Sequence, residues 1–156
     1  MVNALIDRGA DVNAPSTNPE KKKATPLMAA SVNGRVDVIR VLLAAGARVN
    51  LGDAIGWTAL MSASYYGQIE AIRVLLAAGA QINQVDASGW TALIHASQAG
   101  RVQAVMALLA AGADPRITTH LMLGNRLTAL DIAQVSKHSA VVSLLQAKLT
   151  ELACSA

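Results

Sequence analysis

Apolar residues return along this chain at helical spacing, separated by short polar or glycine-bearing breaks. Val38, Ile39, Val41, Leu42 and Leu43 mark one such stretch, the spacing of one buried helix face. Leucine pairs recur at Leu75-Leu76 and Leu108-Leu109, with Leu5-Ile6 and Leu144-Leu145 towards the two ends. Two shorter markers keep the same phase. Thr-X-Leu begins at Thr25, Thr58, Thr91 and Thr128, spaced 33, 33 and 37 residues. Gly-Ala begins at Gly9, Gly46, Gly79 and Gly112, spaced 37, 33 and 33. Markers that share a period and a phase define an internal repeat. Each threonine is placed to cap a helix, its hydroxyl accepting an orphan amide, and Pro26 suits a first helical position. The pattern predicts short first helices near 26–33, 59–66, 92–99 and 129–136. Gly34, Gly67 and Gly100 end three of them, where a left-handed residue is easily formed. Second helices are predicted near 36–45, 69–78, 102–111 and 139–150, closed by Gly46, Gly79 and Gly112.

The clearest unit runs Asp53-Ala54-Ile55-Gly56-Trp57-Thr58-Ala59-Leu60, through Gly67, to Gly79-Ala80-Gln81-Ile82-Asn83. It resembles the ankyrin repeat, and the resemblance covers nearly the whole chain. The resemblance implies an all-α repeat solenoid of stacked helix-turn-helix units with β-hairpin fingers. It divides the chain into a half-repeat at 1–13, repeats near 20–50, 53–83, 86–116 and 123–150, and a C-terminal tail at 151–156, frayed over its last four residues. The family's Thr-Pro-Leu-His departs here at its last residue, replaced by Met28, Met61, Ile94 and Asp131. That histidine hydrogen-bonds near the hairpin in the family, so three apolar substitutes are expected to pack instead. Two fingers, 15–23 and 117–126, are each four residues longer than the others. The chain starts within a second helix, so segment 1–9 is expected to be the least stable. It reads as a piece of a longer array or as an end that frays.

Composition narrows the function. Hydrophobic residues make up 53% of 156 residues and aromatics 3%, with 31 alanines. A core of small side chains at close spacing follows, and the low charge content excludes disorder. No stretch is long and apolar enough to cross a membrane, and the first residues lack a signal-peptide pattern. A single cysteine, Cys154, forms no internal disulfide, and with His95, His120 and His138 scattered along the chain it makes no metal site. No catalytic motif and no cofactor-binding loop is present. His95 is read as a core or half-exposed residue. The net charge of +3 is too weak to imply nucleic acid or membrane, and acidic residues interrupt any basic stripe. Lys21-Lys22-Lys23 reads as a solvated loop run that would also suit an acidic partner. These absences point to the cytoplasm.

The family resemblance implies a protein-binding surface along the finger tips and the exposed side of the first helices. All four aromatic residues, Trp57, Tyr65, Tyr66 and Trp90, fall on those register positions, with Ile55 and Gln98 beside them. Aromatic side chains bury large areas with few rotors and dominate interface hot spots, so these six are the candidate partner-binding residues. The tryptophans are equally suited to packing along their fingers. Leu121 and Met122 in the second long finger are apolar residues suited to packing or to partner contact. The partner is expected to be a protein, with the chain itself a monomer. An exposed N-terminal end leaves room for self-association, or for a regulatory role inside a larger enzyme or effector.

Overall fold

The computed structural model describes residues 9–17, 23–120 and 126–154. Eight helices run in four pairs: α1 Pro26–Val32 and α2 Val36–Ala44, α3 Ala59–Tyr66 and α4 Ile69–Ala77, α5 Ala92–Gln98 and α6 Val102–Ala110, α7 Ala129–Val135 and α8 Ser139–Cys154. Thr25, Thr58, Thr91 and Thr128 cap the first helix of each pair, each hydroxyl accepting the amide three residues on. The substitutes for the family histidine partly keep its polar role. Met28 and Met61 are buried, and their Sδ atoms accept the Thr25 and Thr58 amides at 3.3 and 3.4 Å. Asp131 Oδ2 accepts the Thr128 amide at 2.8 Å. Ile94 simply packs. The turn after each first helix needs a left-handed residue. Gly34, Gly67 and Gly100 supply it with φ near +61, +72 and +65°. In the fourth pair Lys137 does so at φ +61°, a strain of roughly 1–2 kcal/mol for a residue with a Cβ.

First helices stack on first helices and second on second. Ala30, Ala63, Ala96 and Ala133 share one register position and are buried between neighbours. Beside them Ser31, Ser64 and Ser97 are fully buried, each hydroxyl donating to the carbonyl four residues back. Small side chains bring the first helices into closer contact than the second. Polar side chains stitch successive pairs. Gln68 Nε2 donates to the Val32 carbonyl, Arg101 Nε to that of Tyr65, and His138 Nε2 to that of Gln98, each at 3.0 Å. Asn50 adds to the first of these junctions, donating to the Gly79 carbonyl and accepting the Gln81 amide.

The fingers hold hairpin turns rather than strands among the described residues. One backbone bond closes each: Ser16 N to Ala24 O, Asp53 N to Trp57 O, Asp86 N to Trp90 O, and Thr119 N to Leu127 O. The two short fingers close over three residues, too few for a ladder of paired bonds, and the long ones close over seven. Adjacent fingers touch through Ala87 N to Ile55 O and His120 N to Ser88 O. The helix expected to end near 150, and the fraying expected at Ala153 and Cys154, are corrected: α8 continues to Cys154. No glycine interrupts it, and Lys148 Nζ pairs with Glu151 Oε1 at 3.0 Å across its last turns. Segment 1–8 of the leading half-repeat lies outside the described residues, as do Lys21, Lys22, Leu121 and Met122.

Gly52 gives a direct check on finger packing. A Cβ there would sit 2.9 Å from the Gly56 backbone, which cannot yield as a flexible side chain would. Gly52→Ala is expected to lower the unfolding free energy by about 1–3 kcal/mol, the usual cost of overpacking, measured by urea denaturation.

Candidate functional site

The described aromatic rings and one histidine form a single ladder across the second and third pairs. Tyr66 meets Tyr65 edge-on with ring centres 5.2 Å apart, and Tyr65 meets Trp57 edge-on at 6.0 Å. Trp57 then lies 4.1 Å from His95, and Trp90 packs on His95 at 5.1 Å. Register alone predicts which side of the array these residues face, and it does not give their depth. Trp57, Tyr65 and Trp90 are half-buried, and both indoles pack against the core. The reading of all four aromatics as exposed is therefore corrected for these three. Trp57 is fixed further by its Nε1, which donates to Ser62 Oγ at 2.7 Å, while Ser62 donates in turn to the Thr58 carbonyl. Tyr66, at the end of the ladder, remains 47% exposed.

His95 is a core residue. Its Nε2 lies 3.0 Å from Asp86 Oδ2, with the two side chains only 5% and 6% exposed. A carboxylate can only accept, so Nε2 carries the proton of this bond. Asp86 Oδ1 accepts the Ser88 and Trp90 amides at 2.8 and 3.0 Å. Burial pushes the Asp86 carboxyl up, but the bonds from His95, Trp90 and Ser88 outweigh it and hold the group below its ordinary value of 3.8. Among the described residues, His95 Nδ1 is buried with no hydrogen-bond partner.

On the other side of the ladder, a groove of about 510 Å³ opens between the first and second pairs. Met28, Ala29, Val32 and Asn33 line it from the first pair. Ile55, Trp57, Ser62 and Tyr66 line it from the second, with Asp53 and Ala24 at the finger bases. Ile55 is 38% exposed there. The structure thus brings Ile55, Trp57 and Tyr66 to one groove. Tyr65 stands behind it, and Trp90 and Gln98 lie beyond it on the third pair. Among the described residues, no group of three or more His, Cys, Asp or Glu comes together in a way that could hold a metal. No helix among them is long and apolar enough to cross a membrane. Arg101, at the start of α6, has its Nε committed to the Tyr65 carbonyl.

A family model described as ankyrin repeats (3 copies) matches residues 1–86 and again 79–153. The chain belongs to the ankyrin-repeat family. No curated protein matches it. Ankyrin repeats are generally protein-interaction modules and are typically non-catalytic. Within this array, reading by family register missed Asp53, Met28 and Ser62 as groove residues. It also missed the bond from His95 to Asp86. Setting the repeats against one another would have exposed both, since Ser62 and His95 occupy the same register and differ in chemistry.

Two outcomes follow. His95→Ala should lower stability by about 2–3 kcal/mol, because it strands a buried carboxylate and opens space beside two indoles; chemical denaturation reads this. Asp86 has its folded value depressed, so its contribution is present above pH 3.8 and lost as the pH falls through the folded value. Asp86→Asn should therefore flatten the fall in melting temperature that the parent protein shows on acidification below about pH 4.

Proposed function

We propose that this ankyrin array binds a partner protein through the groove on its first-helix side. Ile55 and Tyr66 make the contacts, and Trp57, Tyr65 and Trp90 form the rigid support behind them. Gln98, exposed at the end of α5, extends the surface onto the third pair. The observation that carries this reading is that two large apolar side chains stay exposed along an apolar groove. Exposed apolar residues grouped beside a concave pocket are the usual sign of a recognition surface. Their backing matters as much as their exposure. A side chain held by edge-on ring contacts loses little rotamer freedom on binding, which lowers the ordering cost of association.

The test uses paired baits in a pull-down from the native host. Replacing all four aromatics would confound the result, because Trp57 and Trp90 pack on His95. The informative bait is Ile55→Ser with Tyr66→Ser, two exposed positions where the cost to stability should stay near 0.5 kcal/mol. Capture is expected to fall at least tenfold against the parent bait, as hot-spot removal does, with the melting curve nearly unchanged. Equal capture by both baits overturns the reading.

A further inference from the structure

The finger bases hold one register position whose chemistry differs from repeat to repeat. It is occupied by Asp53, Asp86 and Thr119 in the second, third and fourth fingers. Each makes the same closing backbone bond, so what differs is how the side chain is spent. Thr119 Oγ1 accepts the Leu127 amide at 3.2 Å. Asp86 spends Oδ1 on two backbone amides and Oδ2 on His95. Asp53 spends Oδ1 in the same way, on the Ile55 and Trp57 amides at 2.9 and 3.0 Å. Its second oxygen has no such partner. The residue at the His95 register is Ser62, whose hydroxyl already serves Trp57 and the Thr58 carbonyl. Among the described residues, no donor reaches Asp53 Oδ2.

Asp53 lines the groove, and of the described side chains that do so it alone is charged. Met28, Val32, Ile55 and Tyr66 line the same groove with apolar surface. A carboxylate beside a low-dielectric wall favours a cation more strongly than the same group in open water does. The indole of Trp57 adds an aromatic face for the same cation. The aliphatic stem of a lysine or arginine matches the walls while its head reaches the acid.

Resting on the reading of this groove as the partner-binding site, we propose that its occupant is a segment of the partner protein presenting one basic side chain between apolar ones. The basic head pairs with Asp53 Oδ2, and the flanking apolar residues rest on Ile55 and Tyr66. The third repeat cannot take the same contact, because His95 already fills the corresponding position at Asp86. The second repeat is thereby the reading position of the array.

The probe is a displayed library of random short peptides selected on the full chain. Selection runs in parallel on the parent protein, on Asp53→Asn, and on Ile55→Ser with Tyr66→Ser. Asparagine keeps the Oδ1 that the finger amides need and turns the open acceptor into a donor. Its thermal melt, compared with that of the parent, establishes that the fold is kept. The parent is expected to enrich peptides with a lysine or arginine at one fixed position flanked by apolar residues. Asp53→Asn is expected to bind those peptides roughly tenfold more weakly, the scale of one charge-assisted contact. Raising the salt concentration should weaken parent binding and leave the variant's residual binding nearly flat. Enrichment of the same basic position by both proteins would overturn the assignment to Asp53 while leaving the groove as the site. Undiminished peptide binding by the Ile55→Ser, Tyr66→Ser protein would overturn the groove itself. Absence of any enriched sequence on the parent would overturn recognition of a linear basic segment.

Discussion

A helix of seven residues does not persist in water, and three of the four first helices here have only that length. Isolated helices shorter than roughly 12–15 residues are marginal even with favourable sequences. Everything in this array answers to that constraint. Each first helix is covered by the next through a column of alanines, and buried serines satisfy their own hydroxyls within the helix. The side chains of Gln68, Arg101 and His138 then serve the carbonyls that each short helix leaves exposed at its end. Stability is therefore a property of junctions rather than of units.

The second and third repeats add a different kind of cohesion. Alanine columns give close approach and little stiffness across the groove side. The ladder from Tyr66 to Trp90 supplies a stack of flat surfaces there, fastened by Ser62 at one rung and by Asp86 at another. Its members divide the labour by depth. Those in the middle are half-covered and hold shape, while the terminal tyrosine faces outward. Two tryptophans at the same register thus share one buried histidine, and Trp57 is tied to a serine as well.

The fold was legible because its signals are local and repeated. A capping threonine, a left-handed glycine and an apolar period within the same 33 residues leave few alternatives. The site was legible only in outline. Register gave the correct side of the array for Ile55 and Tyr66, but burial depends on what a neighbouring repeat brings. Trp57 is covered by His95, which lies in the next repeat and one position past the family motif, so no local pattern links them. Asp53 and Asp86 look identical in sequence, and they differ only through Ser62 and His95. The extent of α8 escaped for a simpler reason: its last turns follow no repeat, and with no glycine stop the helix runs on.

Each finger is closed at its base by one backbone bond, and that bond is present whether three residues or seven lie beyond it. The tips are thereby insulated from the helical register. Residues can be gained or lost past the closing bond without shifting any threonine cap or any alanine column. Length at these positions is a free variable of the architecture, and the surface can be remodelled there while the load carried by the stack stays constant. The described array already contains both lengths side by side, which makes its finger tips natural sites for grafting foreign loops.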